Sequence, residues 1–164
     1  MKFCKFIWLT LVVTLLSAAS AVAQAPDAKG LDLILGERFQ EARKYINSSM
    51  EADPKNPGWN YLDGFLHYVL EEYPAAAESF QAGIEKKSKY AYNHAGLART
   101  YNMLKKPAER DQVIDKIKAL NKKDNAEINL ELTKVLTEAE RGDEAKLILY
   151  KLRDAIPDNI EVWR

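Results

Sequence analysis

The sequence predicts an all-α protein, an α-solenoid of about four helix–turn–helix repeats. Three observations predict it. Apolar residues recur at helical spacing along most of the chain. Landmark residues return about every 34 positions, the mark of a repeated structural unit. No stretch shows the alternating pattern of a strand or the Asn-Gly turn of a β-hairpin.

The chain opens on a leader, read over residues 1–23. Lys2 and Lys5 precede an apolar run of eleven residues, Phe6 to Leu16, and Ala21-Val22-Ala23 makes an A-x-A cleavage site before Gln24. Extended through Ala23 the run reaches about eighteen largely apolar residues, the lower limit for crossing a bilayer, so a retained anchor is the alternative. Cys4, the single cysteine, lies ahead of this run, so a chain beginning at Gln24 has no thiol and holds its fold by packing alone. Without Lys2 and Lys5 the balance is 22 basic against 24 acidic residues. That lacks the basic excess of a nucleic-acid-binding domain.

From residue 24 the helical repeat region runs to 156. Leu31, Leu33, Ile34 and Leu35 form a short first helix, and Gly36 to Phe39 turns the chain. Gln40 to Ala52 carries Ala42, Tyr45, Ile46 and Met50 on one face, and Asp53-Pro54-Lys55-Asn56-Pro57 stops it. Trp59 to Lys87 reads as a complete hairpin with its turn at about Tyr73. Trp59, Leu62, Leu66, Val69 and Leu70 line the first helix, and Ala76, Phe80 and Ile84 the second. Gly64 and Ala76 are the small residues that let the two helices approach. Tyr90 to Leu104, Ala108 to Leu120, Glu127 to Ala139 and Glu144 to Ile156 continue the plan. Prolines 74 and 107 suit helix starts, where an N–H is not needed. Residues 157–164 read as a tail or the opening of a further helix, with Trp163 as its aromatic; an apolar end of the last hairpin would be covered by this tail or by another subunit.

Gly30, Gly64 and Ala98 are spaced by 34, as are Phe39 and Tyr73, Ala42 and Ala76, and Ile46, Phe80 and Ile114. Ala145 and Leu149 fall one residue late, which places a single insertion near Asn121 to Glu127. In these residues the chain resembles the tetratricopeptide-repeat (TPR) family. Trp59 and Leu62 match the opening pair, Gly64 the small position one residue late, and Ala76 and Phe80 the second helix. Asp53 to Asn56 and Pro157 to Asn159 match the boundary between repeats. Arg110 in place of alanine, and Ser88 and Lys122 in place of proline, depart from the pattern. A related helical-hairpin solenoid is the alternative.

The resemblance implies a superhelix whose first helices line a concave face that binds a protein or peptide. By position, it selects Tyr61, Phe65, Tyr68, Tyr92, Arg99 and Asn102 as partner-binding candidates, with Asn129, Thr133 or Lys134 from the fourth unit. The bland reading of Tyr61, Phe65 and Tyr68 is packing between repeats.

No catalytic or metal constellation appears. His67 and His94 are the two histidines, 27 residues apart, with no cysteine to complete a metal site. Phosphate-loop, dinucleotide, metalloprotease and nucleophile-elbow motifs are missing. The expectation is therefore a non-enzymatic scaffold without cofactor, exported to the periplasm or outside a bacterial cell. The alternative is a structural subunit of an envelope assembly or secretion complex, held through the ends of the solenoid.

Overall fold

The computed structural model describes residues 25–122 and 124–155. The expected leader, Cys4 and the 157–164 tail lie outside them. The described residues form eight helices and no strand: α1 (Ala28–Leu35), α2 (Phe39–Ala52), α3 (Pro57–Val69), α4 (Tyr73–Lys86), α5 (Ala91–Met103), α6 (Pro107–Leu120), α7 (Ala126–Glu138) and α8 (Gly142–Ala155).

Local chemistry sets the starts. The Asp27 carboxylate accepts from the Gly30 amide, Asn56 from Gly58 and Asn125 from Ile128, satisfying first-turn donors of α1, α3 and α7. Pro57 and Pro107 open α3 and α6, and Pro74 is the second residue of α4. Phe39 and Tyr73 are thus first helical residues, and the turns lie just before them, earlier than the sequence suggests.

Each hairpin closes with the same hydrogen bonds. In the first, Glu37 N–H donates to the Ile34 carbonyl and Arg38 N–H to Leu33. The later hairpins repeat this with Glu71 to Tyr68 and Glu72 to His67, Lys105 to Asn102 and Lys106 to Tyr101, and Glu140 to Thr137 and Arg141 to Leu136. This is a Schellman cap, and its left-handed position is held by Glu37 (φ 58°), Glu71 (61°), Lys105 (58°) and Glu140 (60°). The second helices start at 39, 73, 107 and 142, so the period is 34, 34 and then 35. The extra residue lies in the 121–125 connection, one longer than 53–56 and 87–90, where the sequence places the insertion.

Paired helices α1–α2, α3–α4, α5–α6 and α7–α8 pack within hairpins, and each second helix packs on the next first helix. First helices also touch in series, α1 on α3, α3 on α5 and α5 on α7. They therefore form the inner layer of a solenoid and the second helices the outer one. Ile34, Ile46, Leu62, Leu66, Phe80, Ile114, Ile117, Leu136 and Leu152 are fully buried along its core. Ala42, Ala76 and Ala145 are buried at equivalent positions of second helices. Arg110, the exception, reaches across its hairpin to donate to Asn102 Oδ1 at 2.9 Å.

Small residues set how closely helices approach, within a unit at Gly64 and between units at Gly30 and Gly96. A Cβ on Gly30 would lie 2.4 Å from Leu62, one on Gly64 2.7 Å from Phe80 and one on Gly96 2.3 Å from Phe80. Phe80, 1% exposed, is thus held between glycines of α3 and α5. The contact that needs Gly64 is with Phe80, four residues past the Ala76 that the sequence singles out.

Candidate functional site

The inner layer brings five of the six candidates into one row. Tyr61, Phe65 and Tyr68 descend one face of α3 at spacings of four and three, which superposes side chains on a helix. Tyr92 and Arg99 stand beside them on α5. The Tyr61 and Phe65 rings stack at 6.1 Å, Tyr92 meets Tyr61 edge-on at 5.6 Å, and Tyr90 continues the row 5.4 Å from Tyr92. Tyr61 also packs on Phe80 at 5.9 Å and is itself buried. Phe65, Tyr68 and Tyr92 keep one side open.

Arg99 organises the next step. Its guanidinium lies 5.2 Å from the Tyr68 ring centre and forks onto Glu138 of α7, with Nε donating at 2.9 Å and a terminal nitrogen at 2.8 Å. A bidentate pair of this kind fixes orientation as well as energy. Asn102 donates to the Glu138 carbonyl at 3.0 Å and accepts from Arg110. It ties the end of α7 to the α5–α6 hairpin, a positioning role distinct from the aromatic row. In the fourth unit, Asn129 and Thr133 are buried. Asn129 accepts from Asn121, and the Thr133 hydroxyl donates to the Asn129 carbonyl at 2.8 Å. Lys134 is exposed and pairs with Glu131 at 3.1 Å.

The electrostatics follow from this packing. Burial raises the Tyr61 phenol well above its ordinary range, and the Glu131 charge adds to that. Burial, with Glu127 and Glu131, pushes Tyr92 up to about 12. Burial raises Tyr68 as well, while Arg99 opposes the shift. Burial works against the Arg99 charge, but the Glu138 hydrogen bond and charge outweigh it and hold the guanidinium protonated. The face is thus neutral phenol and phenyl surface, flanked by Arg99 and by the carboxylates of α7.

The cleft between Tyr61, Phe65, Tyr68, Phe80, Gly96, Arg99 and Glu131 has a volume of about 10 Å³. That is room for about one water. The face is therefore a surface and not a pocket. Sequence reasoning misses Glu131 and Glu138. Carrying the candidates into the fourth unit selects Asn129, Thr133 or Lys134 instead, and the pairing of Glu138 with Arg99 depends on how the units stack.

Among the described residues no group of three or more potential ligands is placed to hold a metal ion. His94 is buried, with Nε2 2.8 Å from the Ser88 carbonyl, and His67 lies between Asp63 and Glu72. No helix of the described residues is long and apolar enough to cross a membrane.

No protein-family model and no curated protein matches the sequence. Among solved structures, the crystal structure of a thermophilic TPR protein from Thermus thermophilus aligns with 85% of this chain and 94% of its own length, at 16% identity and a TM-score of 0.42. The solenoid is defined by the helix order and the repeated caps, independently of that likeness.

Proposed function

We propose that the protein is an exported interaction scaffold that binds a peptide segment or partner protein on the first-helix face. The observation that carries this reading is the continuous row of Tyr61, Phe65, Tyr68 and Tyr92, with Arg99 at its end. Aromatic rings offer large contact area with little side-chain entropy to lose, Arg99 is already held in place by Glu138, and both side-chain types are enriched in binding hot spots. Export rests on the leader read in residues 1–23 and is tested by sequencing the N-terminus of the chain recovered from the cell envelope.

Phe65 and Tyr68 are the residues to change, because Tyr61 is core as well as surface. Capture of partners from envelope extract by Phe65→Ala/Tyr68→Ala, relative to the unchanged protein, is expected to fall at least about tenfold, the effect of a modest hot spot. Thermal unfolding is followed in parallel. Undiminished capture by a folded variant removes this face from the function.

A second reading has its own support. The outer layer of the last hairpin exposes Leu147 (66%) and Tyr150 (58%). One and two periods earlier the equivalents of Leu147 are Gln112 and Glu78, and those of Tyr150 are Asp115 and Gln81. Beside Leu147, a hollow of about 560 Å³ between α6 and α8 is floored by Leu132 and Ile148. Such a surface suits a subunit held in an assembly through its C-terminal hairpin. If Leu147→Glu/Tyr150→Glu abolishes partner recovery while Phe65→Ala/Tyr68→Ala does not, assembly is the function.

A further inference from the structure

The inner layer changes character from one end of the stack to the other. Each first helix ends on the same repeat position, with Leu35 in α1, Val69 in α3, Met103 in α5 and Glu138 in α7. The first three are apolar and yet exposed, at 68%, 38% and 41%. Glu138 reaches Arg99 from this position, which places it on the surface that carries the aromatic row. Four residues earlier, on the same helix face, stand Leu31, Phe65, Arg99 and Lys134. Near the helix starts, Gly58, Tyr92 and Glu127 correspond. Each series begins uncharged and ends charged in the fourth unit. The charges at that end are not fully matched. α5 and α7 carry two cations, Arg99 and Lys134, and three carboxylates, Glu127, Glu131 and Glu138. Glu138 takes Arg99 and Glu131 takes Lys134. Glu127 is exposed and has no ion-pair or hydrogen-bond partner among the described residues. It stands one period beyond Tyr92, whose ring keeps one side open, and its charge acts on the Tyr92 phenol.

This arrangement selects among partners. An acidic segment would find both cations already neutralised by carboxylates. A wholly apolar one would desolvate Glu127 without a counter-charge. A basic side chain meets the Glu127 carboxylate and the open face of the Tyr92 ring together. Taking the first-helix face as the binding surface, as proposed above, we infer that it receives one kind of segment in one orientation, with apolar side chains on the first two units and a lysine or arginine at Glu127. First helices touch in series, and packed helices lie about 8–10 Å apart. The way from α3 to α7 is therefore about 16–20 Å, which an extended chain crosses in about five or six residues.

The test is selection of displayed random peptides, about sixteen residues long and so able to span the stack, on the immobilised full chain. The selected sequences are expected to carry an apolar cluster and, about five or six residues away, a lysine or arginine. A synthetic peptide of the selected sequence then binds about three- to fivefold more tightly than its counterpart with glutamine at the basic position, the effect of one exposed ion pair. Glu127→Gln removes that preference, and selection on Glu127→Lys exchanges the basic residue for an acidic one. Leu35→Ser, at the other end, weakens both peptides alike. Circular dichroism confirms that each variant keeps its helicity. No selected peptide, selected peptides without a basic residue at that spacing, or a preference that persists in Glu127→Gln overturns the inference and leaves the first-helix face to the capture experiment above. Selected peptides that bind Phe65→Ala/Tyr68→Ala undiminished remove the face itself.

Discussion

Missing side-chain atoms decide the spacing between the second and third units. Phe80 fits because Gly64 and Gly96 present backbone to its ring, and an added Cβ at either position falls inside van der Waals contact. Alanine gains about 1 kcal/mol over glycine in a helix interior. Overpacking a fixed core costs about 1–3 kcal/mol. Phe80 is enclosed by both helices and cannot retreat, so the clash wins. Gly96→Ala is expected to lower unfolding free energy by about 1–2 kcal/mol in denaturant titration, and more than Gly64→Ala. Gly142→Ala is the control: nothing lies within 4 Å of its Cβ position, and stability is unchanged or slightly raised. His94 gives a second residue-scale outcome. Burial lowers its pKa below the ordinary value of 6.5, so the unfolded chain takes up the proton first. The stability it confers is complete above about pH 6.5 and declines as pH falls toward its depressed folded value. Unfolding midpoints measured from pH 7.5 to 5 are expected to fall, and His94→Gln flattens that slope. An identical slope in the variant would assign acid sensitivity elsewhere.

At the scale of helices and turns, each of the four hairpin turns places a residue with a side chain in a conformation that glycine adopts freely. Glu37, Glu71, Lys105 and Glu140 each sit near φ 60°. The left-handed region costs a non-glycine residue about 1 kcal/mol or more. The repeated cap compensates by satisfying carbonyls of the preceding helix. Glu71→Gly and Lys105→Gly are expected to stabilise by about 0.5–1 kcal/mol each in denaturant titration, since glycine keeps the cap and relieves the strain. Destabilisation would show that the side chains themselves contribute. These turns also mark how far the sequence could be read. The helices are legible because apolar spacing and proline report on local geometry. Period 34 is legible because glycines, alanines and aromatics carry it. The cap is not, because glutamate and lysine stand where glycine usually signals it. The candidate face divides in the same way. Its members on α3 and α5 follow from the period. The burial of Tyr61 does not, and neither does the fork from Arg99 to Glu138, which joins residues 39 apart in sequence through the stacking of helices.

For the whole molecule, stacking in series makes stability a sum of units and joints rather than of one enclosed core. The joint between the third and fourth units carries the extra residue and is spanned by Arg99 and Asn102, which hold both the side chain and the backbone of Glu138. Substituting Arg99→Met and Asn102→Ala together is expected to increase hydrogen exchange selectively in α7 and α8, with α3 and α4 little changed, because each unit feels chiefly its neighbours. Uniform acceleration along the chain would instead mean that the array opens as one cooperative body.

The ring of Phe80 bears on how such a chain could be lengthened or shortened. It belongs to one unit and is closed over by the next. The position in α7 that corresponds to Gly96 is Glu131, whose side chain is 12% exposed. Excising the third unit would lay a carboxylate-bearing side chain where the ring requires bare backbone. Excising the second would remove Leu62, to whose methyl group Gly30 is fitted. The copies share a plan without being exchangeable parts, and the order in which they occur is as fixed as the residues within each.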